Sequence, residues 1–478
     1  MIACRHIVVA GLALLLSNAA SRAPAATHTE RTRLIVLTDF FKDPDDKQSL
    51  IRLLTYANEF EIEGLIATSL AFGDGSVRPE LIQATLDEYG KVLGRLRRHE
   101  RPGYPYPSVE ALKRNVKAGA PVVRLWAGFG KGFEAPYPPG YRDSRTCDPA
   151  EKWIGPGRDT AASRHIIEVV GRKDPRPVWI TVWGGAMDLA QAIWSVRHHR
   201  TPGEARRFIE KLRVYQISWQ DTGTIWLWKN VPELFLILNI EAHRGIHTEG
   251  PAEMRDGPWV ERNVRRGHGP LGAAYPDAGR PGIKEGDTPS FLHLLARGLS
   301  DPEHPEWGGW GGRFRALGHD TRFFVETGDS HPESNVELRR AQWTVARWNR
   351  ATSNDFAARM NWWVRPFAGA NHNPAVTLNG DRSMNVLRRT VAPGETVWLD
   401  AAGTTDPDGG SIGYEWWQYR EAGTPGASVE IAHPTAIRTA VMVPAPPRGA
   451  SIHIVLSATD GGSPPLTSYR RMVLTIAP

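Results

Sequence analysis

Thr38-Asp39-Phe40-Phe41-Lys42-Asp43-Pro44-Asp45-Asp46-Lys47-Gln48-Ser49 places four carboxylates within eight residues. Leu34 to Thr38, just before it, is an apolar, strand-like run. Just after it, Leu50, Leu53, Leu54 and Ala57 follow the i, i+3, i+4, i+7 spacing of a one-faced helix. The acids therefore sit where a strand hands over to a helix. Two readings compete for them. In one, Asp43 caps the helix, Pro44 takes its first position, and first-turn acids favour its dipole. In the other, the carboxylates hold a cation, because clustered carboxylates repel unless a cation or proton lies among them. Ca²⁺ is a hard ion that takes several carboxylates together with carbonyls and waters. The capping reading accounts least well for Asp39 at the strand end.

Outward from this junction the pattern repeats. Gly64 to Thr68 reads as a second strand, and Ile82, Leu86, Tyr89 and Leu93 mark a helix. Pro177 to Trp183 is strand-like, Met187 to Val196 helical, and Leu212 to Ser218 strand-like again. Short apolar runs alternating with helical patterns predict βαβ units and a parallel sheet, whose ligands bind beyond the carboxyl ends of the strands. After Ala370 the texture changes. Alternating runs such as Glu395–Leu399 and Ser451–Leu456, separated by Gly/Pro/Asp turns, predict an all-β sandwich. Asp406-Pro407-Asp408-Gly409-Gly410 and Thr459-Asp460-Gly461-Gly462-Ser463-Pro464 look like turns of immunoglobulin-like and cadherin-like modules.

The N-terminus has Arg5 and His6, an apolar run from Ile7 to Leu16, and Ala23-Pro24-Ala25-Ala26. This is the form of a secretory signal peptide and is too short to span a bilayer. The expected layout is thus a signal peptide over 1–26, an α/β domain over 27–370 and a sandwich over 371–478, exported to the periplasm or beyond. Cleavage would remove two of the 58 basic residues, Arg5 and Arg22, and leave 56 against 52 acidic ones. That excess, with no Lys/Arg stripe, is no argument for nucleic acid, and no other segment is apolar enough to cross a membrane. Cys147 is the one thiol left, so no intramolecular disulfide is expected. The 18 tryptophans suit cores and equally suit stacking on sugar rings. No Gly-x-Ser-x-Gly elbow or phosphate-binding glycine loop occurs, and His198-His199 reads as a solvated helix end.

The strand-Thr-Asp-x(4)-Pro-Asp-Asp-helix arrangement resembles the N-terminal signature of inosine–uridine-preferring nucleoside hydrolases, with a longer loop. Asp43–Leu50, followed by Tyr56-Ala57-Asn58-Glu59-Phe60 and Glu63–Thr68, resembles more closely the nucleoside-hydrolase-like family of cellulose-binding proteins, which carry an immunoglobulin-like C-terminal domain. Gly184-Gly185-Ala186-Met187-Asp188-Leu189-Ala190 is similar to the hydrolases' Gly-Pro-Leu-Thr-Asn-Leu-Ala turn, and Glu285-Gly286-Asp287-Thr288-Pro289 to their His-Asp-Pro-Leu segment. Read alone, the first is a plain strand-to-helix turn and the second a helix N-cap.

The resemblance implies a nucleoside-hydrolase-like, mostly parallel sheet flanked by helices. It implies Ca²⁺ held by Asp45, Asp46, Asp287 and the Met187 carbonyl, with Asp39 or Asp43 as general base in hydrolysis of an N-glycosidic bond. Ser69, Gln220, Asp221, Trp307 and Trp310 are the candidates for substrate contact; a polar loop and an aromatic packing loop are the plainer readings of the last four. The chain departs from the hydrolases in having Lys42 for an Asn, Trp219 for an Asp, and no His before Asp287. The expected partner is accordingly a small glycoside or, on a second reading, a polysaccharide bound without catalysis. On a third, the sandwich is only a structural cap.

Overall fold

The apolar run Leu34–Thr38 becomes an inner strand of a large sheet. The computed structural model describes residues 31–40, 44–70, 75–123, 147–277, 281–444 and 448–477. The signal-peptide reading, Lys42 and Asp43 all lie outside these residues.

The strands of the first sheet are β1 (Thr32–Thr38), β2 (Phe60–Ala67), β3 (Val116–Ala118), β4 (Val178–Val182), β5 (Leu212–Ile217), β6 (Phe235–Asn239), β7 (Phe314–Ala316) and β8 (Phe323–Glu326). Their order is β3-β2-β1-β4-β5-β6-β8-β7. Every pairing is parallel except β7 with β8. Strands buried on both faces need apolar residues throughout, and β4 is buried along its whole length. Successive side chains of β1 point to opposite faces: Leu34 and Val36 join one core, Ile35 and Leu37 the other. Helices Pro44–Thr55, Pro79–Leu96 and Asn349–Trp362 cover the first face, and Ala161–Gly171, Met187–His199 and Pro202–Glu210 the second.

The chain lays down β2 and β3 to one side of β1 and β4 to β8 on the other. β1 is therefore the point where strand order reverses, and beyond its carboxyl end is where a sheet of this topology places its ligand crevice.

The C-terminal part has β9 (Leu387–Val391), β10 (Thr396–Asp400), β11 (Ile412–Gln418), β12 (Arg438–Met442), β13 (Ser451–Asp460) and β14 (Thr467–Ile476). They form a four-stranded sheet, β11-β13-β14-β9, and a two-stranded one, β10-β12. Val397, Leu399 and Val441 of the small sheet share a core with Trp416, Ile452, Ile454 and Leu474 of the large one. This is the expected two-layer β arrangement.

Residues Arg31–Pro478 form one compact unit. The expected boundary falls at a three-residue clamp. Asn371 Nδ2 donates to Asp460 Oδ1 (3.0 Å) and Pro464 O (2.8 Å), the His372 amide to Asp408 Oδ2 (2.7 Å), and Asn373 Nδ2 to Asp355 Oδ1 (2.9 Å). Elsewhere, fully buried Asp329 accepts from Arg313 Nε (2.6 Å), Arg347 Nη1 (2.7 Å) and the Tyr419 hydroxyl (2.6 Å). Tyr419, Val455 and Tyr469 of the sandwich belong to the same apolar core as Leu34 and Val36.

Removing one member of a buried charge network leaves the others desolvated and unpaired, at a cost of about 3–5 kcal/mol. Asp329→Ala is expected to destabilise the whole protein by about that amount in urea unfolding, with the sandwich cut earlier by protease. A wild-type unfolding midpoint would show that the network is dispensable.

Candidate metal centre

At the end of β1 the Thr38 hydroxyl donates to Asp46 Oδ1, and the Asp39 amide donates to the same oxygen at 3.1 Å. Asp46 lies in the first turn of the helix Pro44–Thr55, so its side chain reaches back and ties helix to strand end. The Asp46 amide in turn donates to Asp45 Oδ1 at 3.0 Å. Pro44 opens the helix and Asp45 and Asp46 lie in its first turn, while the cap candidate Asp43 lies outside the described residues.

Asp287 arrives from far along the chain. It stands at the N-cap position of the short helix Thr288–Leu292 without making a side-chain capping bond. Instead, ligand atoms of Asp45, Asp46 and Asp287 all lie within 4.8 Å of one another. Asp46 is 5% and Asp287 2% exposed. Three carboxylates so close, two of them buried, repel one another unless positive charge or protons compensate. Such an all-oxygen donor set suits a hard divalent cation.

One helix face holds the Asp287 loop in place. Gln48 Nε2 donates to Pro276 O (2.8 Å), and its Oε1 accepts from the Lys284 amide (2.7 Å). The Thr288 hydroxyl lies 3.2 Å from Ser49 Oγ and 3.1 Å from Glu285 Oε2. Arg52 Nη1 donates to Glu285 Oε2 (2.7 Å), and Tyr275 donates to Glu285 Oε1 (2.6 Å). Arg52 and Glu285 are both fully buried.

The turn after β4 closes the crevice from the other side. The Trp183 and Gly184 amides donate to Leu37 O at 2.8 and 3.2 Å. A Cβ on Gly184 would lie 2.9 Å from the Asp39 amide nitrogen, so only glycine lets this turn approach. Met187, next in that turn and buried, opens the helix Met187–His199. Its amide donates to Asp221 Oδ2 (3.2 Å), while Asp221 Oδ1 accepts from the Ala186 and Thr224 amides, both at 3.1 Å. Asp221 therefore joins two helix N-termini. Gln220 Nε2 donates to Trp183 O at 2.5 Å. Ser218 and Gln220 have φ of 57° and 32°, so two of the three positive-φ non-glycine residues among those described lie in this one loop. Backbone of that kind concentrates at ligand sites. Buried Ser69 follows β2 and bridges Val77.

The structure thus brings Asp39, Asp45, Asp46, Ser69, Met187, Gln220, Asp221 and Asp287 to the carboxyl-end side of the sheet. Trp307 and Trp310 go elsewhere. Their buried rings face the sandwich, Trp307 edge-on to His453 and Trp310 edge-on to Tyr469. Trp219, where the hydrolases carry an Asp, is tucked against Leu238 and Trp228.

Two residues not assigned from the sequence belong in this description. A Cβ on Gly286 would lie 3.3 Å from His243 Cδ2 and 3.4 Å from Asp45 Oδ2, so His243 borders the cluster. Burial holds its pKa well below the usual histidine value, so the imidazole is neutral. The signal was available: His243 comes just after the apolar run Leu234–Leu238, where a strand end belongs. Buried Asp188 accepts from the Ala120 amide (3.0 Å) and Thr160 Oγ1 (2.5 Å), and burial pushes its carboxyl up to about 6.

Residues 33–314 match the family model described as "Cellulose-binding Sde182, nucleoside hydrolase-like domain", and residues 396–476 match "Cellulose-binding protein Sde0182, C-terminal domain". Among solved structures, a nucleoside hydrolase-related hypothetical protein from Saccharophagus degradans, associated with carbohydrate metabolism, is 33% identical; the alignment covers 94% of this chain and 100% of that one, with a TM-score of 0.74. The effector protein XOO4466 is 10% identical over 70% of this chain and 94% of that one, at a TM-score of 0.35. No curated protein matches. With its first family match spanning more than half the chain and its second falling on the sandwich, this protein belongs to the Sde182 family of cellulose-binding, nucleoside hydrolase-like proteins.

Proposed function

We propose that the chain is an exported, calcium-dependent hydrolase of an N-glycosidic or related glycosidic bond. The observation that carries this reading is the convergence of Asp45, Asp46 and Asp287 at the strand-order reversal beside β1. These three carboxylates, with the Met187 carbonyl, would hold the ion. A bound calcium ion supplies a Lewis acid that orients vicinal hydroxyls and makes water more acidic.

The chain's own groups do the rest. Asp39, anchored through its amide to Asp46, takes a proton from the attacking water, and Asp43 is the other candidate for that step. Carboxylates around the crevice balance positive charge growing on the sugar. Neutral His243 offers the leaving group a hydrogen-bond partner rather than a proton. Gln220 and Ser69 line the approach to the sugar.

A second reading is a polysaccharide-binding protein without catalysis. It is favoured by the cellulose-binding description of the family and by the engagement of Gln220 and Asp221 with backbone groups.

Calorimetric titration of chelator-stripped protein with Ca²⁺ tests the first reading. Saturating calcium at about 100 times Kd is expected to stabilise the fold by about 2.7 kcal/mol. Asp46→Ala is expected to abolish both binding and any hydrolysis of nucleosides and aryl glycosides. Unchanged affinity in that variant sinks the ion site, and calcium binding without hydrolysis of any of them leaves the binding reading.

Because Glu285 fixes the Asp287 loop, Glu285→Gln is expected to weaken calcium affinity about tenfold or more while every ligand remains. Equal affinity would mean that the loop holds itself. Export predicts a mature N-terminus after Ala26, read by intact mass of protein recovered from outside the cytoplasm; an uncleaved chain there contradicts it.

A further inference from the structure

Strands β10 and β12 pair antiparallel with Val397, Leu399, Val441 and Thr439 turned into the sandwich. The opposite face therefore carries three cross-strand rows: Thr396 with Met442, Trp398 with Ala440, and Asp400 with Arg438. Trp398 and Met442 are each 68% exposed. No other tryptophan among the described residues is exposed; the rest are buried or half-buried. Directly across from Trp398 stands Ala440, whose methyl is too small to cover an indole. The face is about 14 Å long from Thr396 to Asp400 at roughly 3.4 Å per residue.

We infer that this face is the contact surface for a neutral polysaccharide chain, with Trp398 as the ring on which a sugar stacks. Its chemistry selects that occupant. An indole offers a flat apolar face to the C–H side of a pyranose, with polar groups needed beside it for the hydroxyls. Those groups are present as Thr396 and the Asp400–Arg438 pair, joined at 2.8 Å. The pair cancels its own charge, so the face attracts neither polyanions nor polycations. A second copy adding a strand is disfavoured by the edge of β10: Asn379 accepts from the Asp400 amide through Oδ1 (2.8 Å) and donates to Trp398 O through Nδ2 (3.3 Å). The sandwich residues 396–476, which include this whole face, match the C-terminal domain of a protein described as cellulose-binding. The inference rests on the polysaccharide-binding reading but is independent of the calcium site.

The test uses the full-length mature protein and its Trp398→Ala, Trp398→Phe and Asp46→Ala variants. Each is measured on regenerated cellulose and, by affinity electrophoresis, on soluble β-glucan, with calcium and with chelator. Trp398→Ala is expected to bind at least tenfold more weakly, with wild-type calcium affinity, while Trp398→Phe and Asp46→Ala bind as wild type does. Wild-type glucan affinity in Trp398→Ala overturns the assignment but leaves polysaccharide binding standing. Loss in Asp46→Ala alone moves the glucan to the carboxylate crevice and also overturns it. No retention of the wild type on cellulose, xylan or mannan overturns both the face and the polysaccharide reading. A wild-type dimer that Trp398→Ala converts to monomer, with no effect on glucan, makes the face a self-association surface instead.

Discussion

Arg52 and Glu285 face each other with no access to water, 233 residues apart in the chain. Desolvating two charges is costly, and the pair repays that only with good geometry and further hydrogen bonds. Both conditions are met here by Tyr275, Thr288 and the Thr352 carbonyl, to which Arg52 Nη2 donates at 2.7 Å. The same helix carries Asp45 and Asp46 one to two turns earlier, and the same loop carries Asp287 two residues later. The pair therefore works as a spacer that sets how far apart mutually repelling carboxylates can relax. Gln48 and Ser49 extend that contact along the helix face, so that Pro44–Thr55 serves at once as core helix, ligand carrier and clamp.

Much of this was legible in the sequence because it was local. The apolar run before Asp39, the helical spacing after Asp46 and the glycines at 184 and 185 each state their own structure. The strand-end rule then says where the chemistry gathers. What was not legible depends on long-range partners. Nothing near Arg52 names Glu285 as its mate. His243 reaches the cluster from the turn after β6, a strand not singled out from the sequence. Trp307 and Trp310 read as a possible cleft wall because tryptophan and glycine suit that role, but their buried rings pack edge-on to His453 and Tyr469 of the sandwich. Asp221 shows the same limit in a polar residue: its position after β5 was right, while its bonds go to two helix N-termini.

The C-terminal sandwich has its own core, yet its Tyr419, Val455 and Tyr469 also complete the core of the first sheet's helix layer. Polar groups reinforce the joint, with Asp329 between three donors and Asn371, His372 and Asn373 each bound to a different segment. Linkers of short, polar, fully committed residues transmit orientation; flexible ones transmit only proximity. Here the orientation of the Trp398 face relative to the crevice is a property of the fold.

That shared core also bears on synthesis. Leu34 and Val36 are made early among the described residues, and Tyr469, packed in the same core, more than 430 residues later. At about 5–20 residues per second, the chain spends tens of seconds on the way out with one side of its first helix layer uncovered. Non-local contacts of this span close slowly. A chain not yet extended to Tyr469 therefore has a long window in which it is competent to be bound by a chaperone or threaded through a pore, and closure of that core waits on β14.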